Sequence, residues 1–166
     1  MKRPLNQPTT YEEQISLLFA HNCANTNLSE YAKRNQENVK KIVQDICNGK
    51  IAELLVHRYL VEKGKVCMPP DFVIYPAYAK SFDADLVCDG INIHVKSCIR
   101  SDKWGNSWCF QPNDSLVKSP DTNDWLALVV LGADPYFRLV SAKGVKYGVP
   151  RKRGLNKAVI YEDNLL

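Results

Sequence analysis

A chain of 166 residues, 45% hydrophobic and 24% charged, has the length of one domain and enough apolar content to bury a core without disulfide or metal staples. No apolar run reaches the roughly 18 residues a membrane helix needs. The opening MKRPLNQPTTYEEQ has no apolar stretch of the secretory kind, so an intracellular location is expected. A net charge of +4 is too small to call for a polyanionic partner by itself. Six cysteines, Cys23, Cys47, Cys67, Cys88, Cys98 and Cys109, form no CxxC pair and no zinc spacing, and are expected to be reduced core thiols.

In chain order, residues 1–9 are polar and Pro-rich and read as loose. Thr10 followed by Glu13 reads as a capping box that opens a helix over about 11–23, with Ile15, Leu18 and Phe19 inward. After a linker, Ser29 is placed to cap a second helix to about Cys47, with Tyr31, Val39, Ile42, Val43 and Ile46 on its inner side. Asn48-Gly49 interrupts the pattern; a third helix over about 50–63 either restarts there or continues the second. Glu53 and His57, four residues apart, share one face of it. Val66–Met68 and Phe72–Tyr75 read as strand pieces broken by Pro69-Pro70.

Residues 82–98, FDADLVCDGINIHVKSC, carry the most specific local signal. Asp89-Gly90 between two alternating runs predicts a two-residue hairpin, because both residues tolerate the positive φ of a type I′ turn. The register then pairs Cys88 with Ile91, Val87 with Asn92, Leu86 with Ile93 and Asp85 with His94. One face collects Ala84, Leu86, Cys88, Ile91, Ile93 and Val95, a core face. The other collects Asp83, Asp85, Val87, Asn92, His94 and Lys96, which is either a solvated outer face or a site. Opposed Cβ atoms lie roughly 4.5–5.5 Å apart, so the carboxylates, imidazole and ammonium would share one small patch.

Downstream, Asn106–Gln111 reads as a strand with Ser107, Cys109 and Gln111 on one side. Were it paired beside His94 and Lys96, Gln111 or Ser97 would enter the patch; a surface position is the alternative. A short helix is expected near Ser115–Lys118, a buried strand at Trp125–Leu131, and further strands at Tyr136–Ser141 and Ala158–Tyr161. Between Pro135 and Tyr161 stand Arg138, Lys143, Lys146, Arg151, Lys152, Arg153 and Lys157 with no acid among them. A one-signed stretch interleaved with Tyr136, Phe137 and Tyr147 suits a phosphate backbone, or is simply a solvated basic loop. Helices first and a mixed sheet after give an α+β or three-layer α/β domain. It divides into an N-terminal helical segment, 1–48, and a core, 49–166, within one compact unit.

Asp85, ten intervening residues and Lys96, preceded two positions earlier by polar His94 and following a helix with Glu53, together resemble the PD-(D/E)XK nuclease superfamily. The likeness is to its restriction-endonuclease-like and Holliday-junction-resolvase-like branches, in detail over about residues 49–111. The chain departs from the pattern at His94, where most members carry a second acid.

The resemblance implies a restriction-endonuclease-like core, with a mixed central sheet flanked by helices. It also implies hydrolysis of phosphodiester bonds in double-stranded DNA with a divalent metal, Mg²⁺ or Mn²⁺. Glu53, Asp85, His94 and Lys96 would be catalytic, and Asp85, His94 and Glu53 would hold the metal. Asp83, His57, Ser97 and Gln111 would support them, and Lys143, Lys146, Arg151, Lys152, Arg153 and Lys157 would contact nucleic acid. Two strand cuts need two sites, so a homodimer or higher homo-oligomer is expected. Imidazole suits Mn²⁺ better than Mg²⁺. The alternatives are a nuclease-fold DNA-binding module with weakened chemistry, and a nuclease for RNA or single strands.

Overall fold

The computed structural model describes residues 1–33, 38–76, 84–101, 103 and 105–165. Its elements are β1 (Arg3–Pro4), α1 (Thr10–Thr26), α2 (Leu28–Lys33), α3 (Val39–Glu62), β2 (Leu86–Cys88), β3 (Ile91–Ile99), β4 (Ser107–Phe110), α4 (Ser115–Lys118), β5 (Asp124–Leu131), β6 (Tyr136–Ser141) and β7 (Ala158–Tyr161). The expected mixed α/β class is correct. Five strands form a mixed sheet in the order β1-β6-β5-β3-β2, with β3 parallel to β5 and the other pairs antiparallel.

β5 is the centre of the domain because it is apolar on both faces. Ala127, Val129 and Leu131 point to one side and join Ala52, Leu55, Val56 and Leu60 of α3 with Leu86, Ile93 and Val95 of the hairpin. Leu126, Leu128 and Val130 point to the other, onto Trp108 and Phe110 of β4, Leu116 of α4 and Ile160 of β7. Helices therefore cover one face, while a separate two-stranded sheet of β4 and β7 covers the second. The expected short helix at Ser115–Lys118 and the strands at Tyr136–Ser141 and Ala158–Tyr161 stand where the sequence placed them.

Several expectations are corrected. Residues 1–9 are not loose: β1 pairs with β6, and Leu5 is buried with its N–H on the Pro135 carbonyl at 2.9 Å. The capping box is Thr9 with Glu12 rather than Thr10 with Glu13; Glu12 is buried because it also takes Arg58 of α3 at 2.7 Å. The inner side of α1 is Ser16, Ala20 and Ala24, small residues that let α3 approach, and Leu18 faces outward. Ser29 caps no long helix. Asn38 caps α3, which runs unbroken past Gly49, so the 48/49 seam falls inside a helix. No strand forms at Phe72–Tyr75, where the Asp71 carboxylate instead accepts from Val73 N–H and the Tyr75 hydroxyl. Cys67 and Cys88 are not free thiols. Val66–Met68 pairs antiparallel beside β2, which sets the two cysteines directly opposite, with Cα atoms 4.1 Å apart, in a disulfide. Cys23, Cys47, Cys98 and Cys109 are free.

Among the described residues no helix is long and apolar enough to cross a membrane. The chain's end is tied down through Glu162, which accepts from the Tyr136 hydroxyl at 2.6 Å, Asn106 at 2.8 Å and Arg138 at 3.2 Å, and pairs with Lys2 at 3.2 Å. Against the upward push of burial, these hydrogen bonds bring the Glu162 carboxyl down to about 2. A carboxyl depressed in the fold stabilises it above the unfolded value of 4.5 and loses that contribution as pH falls toward 2. Glu162→Gln is accordingly expected to lower unfolding free energy by about 2 kcal/mol at neutral pH. Denaturant melts at pH 7, 4 and 2.5 should show the gap between variant and wild type closing as the acid is approached.

Candidate active site

The hairpin forms as its sequence dictates. Asp89 and Gly90 take φ of 49° and 78°, and the register is Cys88↔Ile91, Val87↔Asn92 and Leu86↔Ile93. The ladder then stops. Asp85 is not paired flat against His94; its carboxylate turns into the plane of the sheet and accepts the Val95 N–H at 2.7 Å. A side chain thus stands where the next strand residue would have donated and accepted, and β2 departs from β3 at that point.

α3 brings Glu53 to the same place. Its carboxylate is largely buried, with 12% of the side chain exposed, and is gripped by Lys50 one turn earlier at 2.6 Å. Burial pushes the Glu53 carboxyl up to about 7; the negative charge of Asp85 adds to the push, and Lys50 and then Lys96 oppose it. Glu53 therefore lies within electrostatic reach of both Asp85 and Lys96, the acid and amine of the hairpin. Lys96 belongs to the sheet face of the second core, where its ammonium stands 5.6 Å from the centre of the Phe110 ring.

The remaining candidates separate. His94 leans toward the start of β5, with Nε2 3.4 Å from an Asp124 carboxylate oxygen that also accepts from Asn92 at 3.3 Å. Against the effect of burial, the Asp121 backbone N–H, Asn92 and His94 hold Asp124 below the usual carboxylate range. Among the described residues no group of three or more His, Cys, Asp or Glu is arranged to hold a metal ion, so His94 does not complete a set with Glu53 and Asp85. His57 is half-buried a turn beyond Glu53 and, among the described residues, makes no hydrogen bond or ion pair. Ser97 lies on the α3 side of β3, opposite to Lys96, since Val95 and Val129 beside it belong to that core. Gln111 is exposed past the end of β4, which pairs with β7 and not with β3. Asp83 lies outside the described residues.

Of the basic residues, Lys146, Lys152 and Arg153 are exposed. Lys143 donates to Thr122 at 2.9 Å, and Arg151 stacks 4.0 Å from the Tyr161 ring centre and pairs with Asp163 at 2.5 Å. Lys157 precedes β7, whose Ala158 pairs with the same Phe110 that Lys96 overlies. The segment is therefore joined to the Lys96 side of the sheet through one strand pair. Arg138 is buried on Glu162 and belongs to the fold.

The Glu53 and Asp85 carboxylates are the oxygen donors that a hard divalent cation would take, its other ligands being water and substrate phosphate, the usual manner of holding Mg²⁺. A set including His94 does not fit. Comparison with protein families, curated proteins and solved structures returns no match. The sequence offered Lys50 or Arg58 as an ion-pair partner for Glu53, and the structure forms the Lys50 pair while Arg58 goes to Glu12; no local signal marked Asp124, which only the β3–β5 register brings to His94.

The geometry predicts that Glu53 titrates near pH 7 and that Asp85→Asn moves its midpoint down by removing a neighbouring negative charge. Carboxyl ¹³C NMR of labelled protein across pH 4–9 measures both; a Glu53 midpoint that ignores Asp85 would separate the two groups.

Proposed function

We propose that the protein is a metal-dependent endonuclease that hydrolyses phosphodiester bonds of double-stranded DNA, with a restriction-endonuclease-like core. The observation that carries this reading is the buried Glu53 carboxylate on the helix that packs against the hairpin bearing Asp85 and Lys96. Supporting it are the hairpin register, which the chemistry requires, and the exposed basic segment joined to the same face of the sheet.

Phosphodiester hydrolysis needs a positioned water and neutralisation of charge growing on the phosphorus oxygens and the leaving oxygen. A bound Mg²⁺ or Mn²⁺ supplies Lewis acidity and holds the phosphate against its carboxylate ligands. Glu53 and Asp85 would be those ligands. Asp85 is fixed for the task by the Val95 N–H, and Glu53 by Lys50. Lys96, a compact cation on a rigid strand, would face the phosphate, stabilise its added charge and orient the attacking water. The Phe110 ring beneath it limits where the ammonium can go. His94, held by Asp124, would serve beside the phosphate as a hydrogen-bonding or proton-carrying group rather than as a ligand. Lys146, Lys152, Arg153 and Lys157 would meet the DNA backbone on either side of the cut, and a homodimer would supply the second site for the other strand.

With supercoiled plasmid and Mg²⁺ or Mn²⁺, purified protein should nick and linearise DNA, and Asp85→Asn or Lys96→Ala should slow cleavage by at least about a hundredfold. Retention of DNA in a gel without any cutting would favour instead a binding module on the same fold, and cutting confined to RNA or single strands would change the substrate class.

Replacing Lys152 and Arg153 together with Ala should weaken duplex binding about equally across sequences and flatten the dependence of log K on log salt by about two. Fluorescence anisotropy between 50 and 200 mM NaCl measures it; an unchanged slope would remove the loop from the interface.

A further inference from the structure

Lys50 is an unusual ion-pair partner. The exposed pairs of this protein, Lys33 with Glu30 and Lys41 with Asp45, have lysine side chains 70% and 69% exposed; that of Lys50 is 10% exposed. Its ammonium donates to Glu53 at 2.6 Å and to the Asp71 carbonyl at 2.8 Å, and lies 4.7 and 5.3 Å from the ring centres of Phe19 and Phe72. Those rings pack edge to face 5.5 Å apart, so the cation is enclosed from α1, from α3 and from the segment after Pro70. Burying an ammonium is costly unless it is fully paired, and here the partners are in place before any ligand arrives.

Resting on the nuclease reading above, we propose that Lys50 is a positioning residue that sets how tightly the Glu53–Asp85 pair holds a divalent cation. It is a resident positive charge on one oxygen of Glu53. Without metal it fixes that carboxylate and offsets the repulsion from Asp85. Were Glu53 and Asp85 to hold a divalent cation, the same ammonium would repel it, so the cation would be held weakly until a substrate phosphate added its own negative charge. A divalent ion feels this repulsion about twice as strongly as a proton does, so removing the ammonium favours the metal even in competition with protonation of the carboxylate.

The test is calorimetric titration of the full chain, without nucleic acid, with Mn²⁺. Lys50→Met is expected to bind Mn²⁺ about tenfold more tightly than wild type, and Lys50→Arg, which keeps the charge, within about threefold of wild type. Adding Glu53→Gln to Lys50→Met should cancel the gain. Lys50→Gln removes the charge but keeps a polar donor, and takes the place of the methionine variant should that one fail to fold. Neutral variants that bind no more tightly than wild type, while Asp85→Asn still abolishes binding, overturn the role of Lys50 and leave the nuclease reading standing. Wild-type binding of Mn²⁺ that is absent, or indifferent to Asp85→Asn, overturns both.

Discussion

The hydrogen bond from the Val95 N–H to the Asp85 carboxylate determines where this domain can have a site. An antiparallel ladder normally leaves no room between two strands, because each backbone donor meets a backbone acceptor. When a side chain takes one of those donors, the partner strand is released and the edge of β3 is opened without leaving an amide unsatisfied. α3 packs on one side of β3 and the β4–β7 sheet on the other, so Glu53 belongs to the helix side and Lys96 to the opposite face. Had β2 continued its pairing through residue 85, the acid would have stayed on the outer face with Val87 and Asn92, away from the helical carboxylate.

The charge balance around Glu53 follows from this. A carboxylate that is 12% exposed and close to a second carboxylate would be neutral near physiological pH without compensation. Lys50 and Lys96 supply that compensation from different elements, and they bring the carboxyl back only to about 7. By contrast Glu162, which is also largely buried but is surrounded by donors alone, is pulled to about 2. Two acids in one small domain are driven in opposite directions, the first by burial with a like charge adding to it and the second by hydrogen bonds.

Local chemistry made much of this legible in advance. Asp89-Gly90 specifies its turn almost alone, and the register of β2 and β3 follows from it. β5 reads as central because its apolar run leaves no polar face, and β6 and β7 read from alternation. What failed depended on contacts between distant segments. Nothing near Arg3 announces pairing with Phe137, and nothing about a spacing of 21 residues brings Cys67 to Cys88; both arise from which strand lies at an edge. The face of α1 was misread because small residues, Ser16, Ala20 and Ala24, rather than large ones mark the close approach to α3. At the candidate site, Glu53, Asp85 and Lys96 were chosen from type and spacing, and the hairpin that carries two of them forms in the register expected from Asp89-Gly90. The orientation of Asp85 was not legible, since a flat hairpin puts it opposite His94, and the strand ends one residue earlier.

The placement of His94 bears on how few groups such a centre needs. If the imidazole were required to replace a missing carboxylate, its Nε2 would have to turn toward Asp85; it turns instead toward Asp124, which is itself tethered by Asn92 and by the Asp121 N–H. Asp124 lies at the first residue of β5 and cannot follow His94 elsewhere without breaking the parallel register that builds the core. On the proposed reading, Glu53 and Asp85 would then have to suffice for a cation, with substrate phosphate as the remaining charged ligand. Such a site would bind metal loosely alone and more tightly with substrate present, which is also what a lysine fixed against one of its two acids would enforce. On that reading the histidine and the buried lysine thus bear on the same property, a carboxylate pair that would hold its cation weakly before substrate phosphate joins it.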